Sequence, residues 1–126
     1  MIKTKDSTSK IILIVEDDSN ILFALSLFLE GEGYTVFGAE NGLVALHLLR
    51  EHGMPHLILL DMVMPVMDGW AFAQEFSALY NDQAPIIITT GAADAEQRAR
   101  DIGAASWIGK PYDLDDLLKM IQKYER

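Results

Sequence analysis

The stretch HLILLDMVMPVMDG, residues 56–69, carries an apolar run into Asp61 and then into a loop, Met62 to Met67, that contains a proline. A strand that only had to turn would be served by Asn or Ser, whose side chains bond their own backbone. An aspartate at the mouth of an apolar run instead places a charge that something beyond the strand must face. Working outward, four more short apolar runs recur at a fairly even interval: IILIV (11–15), YTVFGA (34–39), PIIIT (85–89) and ASWIG (105–109). Each has the length and the β-branched or aromatic content of a strand. The segments between them have helical length, with Ser19, Asn41, Asp68 and Asp113 as expected N-caps and Gly31, Gly33 and Gly53 as stop signals. The pattern is βα repeated five times. Runs that are apolar almost throughout belong to strands covered on both faces. The expected fold is therefore α/β, a doubly wound five-stranded parallel sheet with helices on either side.

Composition narrows the function. With 126 residues, half of them hydrophobic, the chain suits a single core. Nineteen acidic against ten basic residues give a formal net charge of -9, which speaks against direct binding to nucleic acid or to anionic membrane. A cation or a basic partner is the expected company. Cysteine is absent, which excludes disulfides and thiolate metal sites. The opening MIKTKDSTSK is polar and no apolar run approaches membrane-spanning length, so residues 1–9 are expected to be a flexible segment and the protein cytoplasmic.

In such a sheet, ligands bind beyond the carboxyl ends of the strands, near the point where strand order reverses. The first run ends in Glu16-Asp17-Asp18, the third in Asp61, the fourth in Thr89-Thr90-Gly91 and the fifth in Gly109-Lys110-Pro111. If the first and third strands are neighbours, several carboxylates converge and raise one another's pKa unless a cation joins them. Oxygen ligands without His or Cys suit Mg²⁺, with Mn²⁺ as the alternative. Capping of the first helix is the other use for these acids, but it cannot explain Asp61. Lys110 can reach across the rim to Asp61 or to an anion on it. His47, His52 and His56 fall on the second helix and the following loop, away from the acids.

The motifs VEDD (15–18), LLDMVMPVMDG (59–69), ITTG (88–91) and GKP (109–111) together resemble the receiver domain of two-component response regulators, over about Lys10 to Tyr124. The resemblance implies a receiver domain over 10–126 with the flavodoxin-like strand order 2-1-3-4-5. It further implies that Asp61 accepts a phosphoryl group. Asp17 would ligate Mg²⁺ directly and Glu16 through water, with Asp18 as a third acid and the Val63 backbone carbonyl as another ligand. Thr90 would bond the phosphoryl group and Lys110 would pair with its oxygens. Thr90 is preferred to Thr89 because the family's hydroxyl precedes a small residue, here Gly91. Pro65 and Gly69 match turn residues of the family's loop after the third strand, and Pro111 follows the lysine. The implied donor is a phosphohistidine on a sensor histidine kinase or histidine phosphotransfer protein.

Trp107 stands where the family has its switching aromatic, three before the lysine, and its bulk predicts a smaller movement than a tyrosine or phenylalanine would make. Val63 and Ala92 offer no acid or amide to orient an attacking water, which predicts a persistent phosphoryl mark. At about 100° per residue, Ile21, Ala24, Leu25 and Phe28 form the stripe of helix one expected to face the sheet. Phe23 and Leu27 fall on the far side, as an expected docking face for the donor. Three other readings stay open at this point: a phosphohydrolase using an aspartyl phosphate, a flavin- or nucleotide-binding module, and a receiver that signals without phosphate. The first would place an acid where Val63 stands, and the second would want a phosphate loop where Glu16-Asp17-Asp18 repel phosphate.

Overall fold

In the computed structural model, which describes residues 9–91 and 93–126, the five apolar runs are strands and the segments between them helices. The elements are β1 (Ile11–Val15), α1 (Ser19–Gly31), β2 (Thr35–Ala39), α2 (Gly42–His52), β3 (Leu57–Asp61), α3 (Gly69–Tyr80), β4 (Ile86–Thr90), α4 (Ala95–Ile102), β5 (Ser106–Gly109) and α5 (Leu114–Tyr124). All strand pairs are parallel and the order is β2-β1-β3-β4-β5, as expected. Strand order reverses beside β1, which puts β1 and β3 side by side. Val15 lies level with Leu60, Asp61 with Thr89 and Thr90 with Gly109, so four strand ends share one rim.

Alternation along each strand splits the core into two layers. Leu13, Val15, Ile58, Leu60 and Ile88 pack with Phe72 and Phe76 of α3 and with Ala45 and Leu49 of α2. On the other face Ile12, Ile14, Leu57, Leu59 and Ile87 pack with Leu25 and Leu29 of α1 and with Leu117 and Ile121 of α5. Burying each large apolar side chain contributes roughly 1.5–3 kcal/mol. β3 and β4 are buried along their whole length, whereas the edge strands β2 and β5 are partly exposed because each has a neighbour on one side alone.

Two local expectations are corrected. Asp18, not Ser19, caps α1, because its carboxylate accepts from the N–H groups of Asn20 and Ile21 and Ser19 is already the first helical residue. Asn41, Asp68 and Asp113 cap α2, α3 and α5 as expected. In α1 the buried residues are Leu25 and Leu29, while Ala24 is exposed. The stripe therefore lies rotated toward Leu22, Leu25 and Leu29, with Ile21 and Phe28 half-buried at its border. Leu22 is held there by β2, where its Cδ1 lies 3.0 Å from the place a Cβ on Gly38 would occupy. Ala92 and residues 1–8 of the N-terminal segment lie outside the described residues.

Candidate functional site

The rim formed by β1, β3 and β5 gathers the ionisable groups. Glu16 directly follows β1 and is 2% exposed, and Asp61 ends β3 and is 6% exposed. Asp17 is exposed beside them, and carboxylate oxygens of Glu16, Asp17 and Asp61 all lie within 4.8 Å of one another. Among the described residues this is the one group of three or more acids or histidines close enough to share an ion. Asp18 is not part of it: its carboxylate is turned to the α1 N–H groups at 2.9 and 3.2 Å, and its own N–H donates to Glu16 Oε2.

Lys110, at the end of β5, reaches across β4's end to this cluster. Its Nζ donates to Glu16 Oε1 at 2.9 Å and lies 3.5 Å from Asp61 Oδ2. Its backbone N–H donates to the Thr90 carbonyl at 2.8 Å, and the Lys110–Pro111 peptide bond is cis. The sequence pointed Lys110 at Asp61; the tighter contact is with Glu16.

The electrostatics follow from this crowding. Burial, then the charge of Glu16, push Asp61 from 3.8 up to about 6, against the opposing pull of Lys110 and of the Val63 N–H. Burial alone would lower the Lys110 ammonium, but its hydrogen bond to Glu16 and the charge of Asp61 outweigh it and leave the group above its usual range. Three carboxylates against one ammonium leave an excess of negative charge in a partly dry site. That is the donor set and the charge deficit that a hard divalent cation satisfies, so the residues fit Mg²⁺.

The remaining site residues frame the cluster. Val63 N–H reaches toward Asp61 Oδ1 at 3.4 Å. Thr89 and Thr90 are both buried; Thr89 is level with Asp61, and Thr90 is the last residue of β4. Beyond Thr90 there is room, since a Cβ on Gly91 would meet nothing within 4 Å. Gly69 is the opposite case: a Cβ there would sit 2.7 Å from Met62 Sδ and 2.8 Å from the Asp61 carbonyl oxygen, so only glycine lets α3 start against the end of β3. Its N–H donates to the Met62 carbonyl. Pro65 is exposed in the loop between them. Trp107 lies on β5, level with Ile88, and is 39% exposed.

The histidines are occupied elsewhere. His47 Nε2 is 2.9 Å from Glu51, His52 stacks on Phe37, and His56 Nδ1 accepts from the Ile11 N–H at 2.9 Å. Phe23 and Leu27 are 66% and 56% exposed, on the outer side of α1 as expected. Sequence reasoning missed an apolar groove of about 410 Å³ beside Lys110, lined by Ile21, Ala24 and Leu25 of α1 and by Pro111, Tyr112 and Leu114. The exposure of Ala24 is its trace, because that residue faces the groove and not the sheet.

No helix among the described residues is long and apolar enough to cross a membrane. Residues 12–122 match the family described as the response regulator receiver domain. Sporulation initiation phosphotransferase F of Bacillus subtilis is 36% identical over 114 residues, covering 90% of this chain and 91% of that protein. Regulatory protein AtoC of Escherichia coli is 34% identical over 89% of this chain, which spans 24% of that longer protein. Among solved structures, a CheY-like receiver domain protein from Methanospirillum hungatei superposes with a TM-score of 0.83 at 33% identity, over 92% of this chain and 93% of that one. The response regulator TrrA of Thermotoga maritima, solved in complex with Mg²⁺-BeF, gives 0.80 at 32% identity over 91% and 98%. Fold, strand-end chemistry and these likenesses agree: the chain belongs to the receiver-domain family of two-component response regulators, a signalling phosphoacceptor fold.

Proposed function

We infer that Asp61 is the residue that accepts the phosphoryl group, from a phosphohistidine on a sensor histidine kinase or a histidine phosphotransfer protein. The observation that carries this is the meeting of Glu16, Asp17 and Asp61 within 4.8 Å with Lys110 laid against them. A carboxylate oxygen of Asp61 attacks phosphorus, and the P–N bond breaks with its electron pair going to the departing imidazole. Glu16, Asp17, Asp61 and the Val63 carbonyl are the groups that would hold Mg²⁺, which when bound neutralises charge on the phosphoryl oxygens. Lys110 supplies a second positive charge to those oxygens, and the Thr90 hydroxyl a hydrogen bond. Asp18 has no place in this ligand set because it caps α1.

The same groups position the acyl phosphate for hydrolysis, so the domain catalyses both the gain and the loss of its mark. At Val63 nothing orients the attacking water, which favours a long-lived phosphoaspartate. On activation Thr90 moves toward the phosphoryl group and Trp107, already half out of the sheet edge, follows by a small rotation.

Intact mass after incubation with acetyl phosphate and Mg²⁺ tests the reading. One phosphoryl group is expected on the wild type and none on Asp61→Asn or in excess EDTA. No gain under any condition, or a gain that survives Asp61→Asn, would refute it.

The donor docks on α1. Phe23 and Leu27 are exposed on its outer side, and the apolar groove next to Lys110 opens at its base. Replacing both Phe23 and Leu27 by glutamate removes two apolar contacts of roughly 1.5 kcal/mol each. Transfer from a phosphohistidine donor is expected to slow by about a hundredfold, with labelling by acetyl phosphate unchanged. Equal loss with both donors would assign these residues to stability and not to docking.

A further inference from the structure

On the side of the acidic rim away from α1 and Lys110, the loop after β3 carries two exposed valines. Val63 is 69% exposed and Val66 is 78% exposed. The start of α2 is joined to this loop: Gly42 N–H donates to the Met67 carbonyl at 3.0 Å, and a Cβ on Gly42 would lie 2.7 Å from Met67 Cγ. Leu43 and Val44, 55% and 39% exposed, directly follow Gly42 at this joint, and Val66 directly precedes Met67. The two joined segments thus carry a strip of four exposed aliphatic residues.

Val66 is also in an unfavourable backbone conformation, at φ 67°. A β-branched residue in the left-handed region crowds its Cβ against the following carbonyl, a position that Gly or Asn takes at little cost. Among the described residues the other non-glycine positions with positive φ are Asn81 and Asp82, the types that tolerate it. Val66 gains little packing within the domain in return, since it is 78% exposed. A strained apolar residue that the fold does not use is explained by a contact outside the fold.

Charge selects the occupant. Glu40 and Asp68 flank the two joined segments in sequence, Asp17 stands at the rim beside Asp61, and all three are exposed. From residue 11 to residue 97 the sequence contains one lysine or arginine, Arg50, in the last turn of α2. The only cation at the rim among the described residues, Lys110, is already held by Glu16 and Asp61. A second copy of this chain meeting it strip to strip would set acids against acids. We propose that the strip of Leu43, Val44, Val63 and Val66 docks an amphipathic helix of a partner protein, aliphatic on the contact face and flanked by lysine or arginine.

The test uses an 18-residue leucine/lysine helical peptide with its leucines on one face, a leucine/glutamate counterpart, and the ¹⁵N-labelled full chain. The lysine peptide is expected to shift the amides of 42–44, 63, 64 and 66–68, and the glutamate peptide to leave them in place. Val66→Asn is expected to weaken the lysine peptide about tenfold. The same variant should raise the melting midpoint by roughly 4 °C, since asparagine relieves the backbone, and should accept phosphate from acetyl phosphate as the wild type does. Unchanged affinity in Val66→Asn, shifts confined to α1, or equal binding of the glutamate peptide would overturn the proposal. So would a concentration-dependent dimer that Val66→Asn abolishes, which would hand the strip to a second copy. The labelling readout separates these outcomes from failure of the phosphoacceptor reading.

Discussion

Asp61→Asn is expected to make the metal-free protein more stable at pH 7.5, by about 2 kcal/mol, while abolishing phosphorylation. Burial and Glu16 raise the Asp61 carboxyl from 3.8 to about 6. At about 1.4 kcal/mol per tenfold change in proton affinity, the ceiling is about 3 kcal/mol, with the attraction of Lys110 already contained in the value of about 6, and hydrogen bonds that the asparagine amide leaves unmade bring it lower. The sign follows from which form the fold prefers. A carboxyl whose folded pKa lies above its unfolded value favours the fold while protonated, in full below about 4, and that advantage is lost as pH rises through about 6. Denaturation midpoints without metal should therefore diverge between pH 4 and 7, with the wild type falling relative to Asp61→Asn. Saturating Mg²⁺ should close the gap at pH 7.5, because it binds the folded wild type and stabilises it by mass action. A metal-free variant less stable than wild type at every pH would show that Asp61 is not held at a cost.

The part of this site that could be read from sequence is the part that topology dictates. Once five apolar runs are strands of a parallel sheet, each strand end has one place to go, and Asp61, Glu16, Asp17 and Lys110 must meet at the rim. Side-chain direction within a turn is less constrained. Asp18 and Ser19 are both good caps, and the choice of Asp18 depends on a backbone path that residue type does not specify. Ala24 illustrates the same gap: helical periodicity puts it on the apolar stripe, but the stripe borders two surfaces, the sheet and the groove against Tyr112 and Leu114. The pairing of Lys110 with Glu16 ahead of Asp61 is invisible because either acid satisfies the charge pattern, and a difference of 0.6 Å is set by how β1 and β5 sit across β3 and β4. Val66 looks like one more apolar residue in a turn until its φ of 67° is known.

Lys110→Ala is expected to cut both the stability of the metal-free domain and the rate of phosphorylation, and the two losses should respond differently to Mg²⁺. Glu16 is 2% exposed and its nearest cation is the Lys110 ammonium at 2.9 Å. Removing that cation leaves two buried carboxylates facing each other, a change that costs about 3–5 kcal/mol when a pair is fully dry. The lysine side chain is 25% exposed, so about 2 kcal/mol is the expected loss at pH 7.5. Mg²⁺ restores most of it, since a second positive charge then faces the same oxygens. The rate should not recover in the same way. In the proposed transfer Lys110 pairs with the phosphoryl oxygens, and losing a preorganised donor from such a position slows transfer about a hundredfold or more. Acetyl phosphate labelling at saturating Mg²⁺, read beside a denaturation curve under the same conditions, separates the effects. Restored stability with a rate still about a hundredfold down assigns Lys110 to transfer itself, whereas recovery of both together would reduce it to a counter-ion for Glu16.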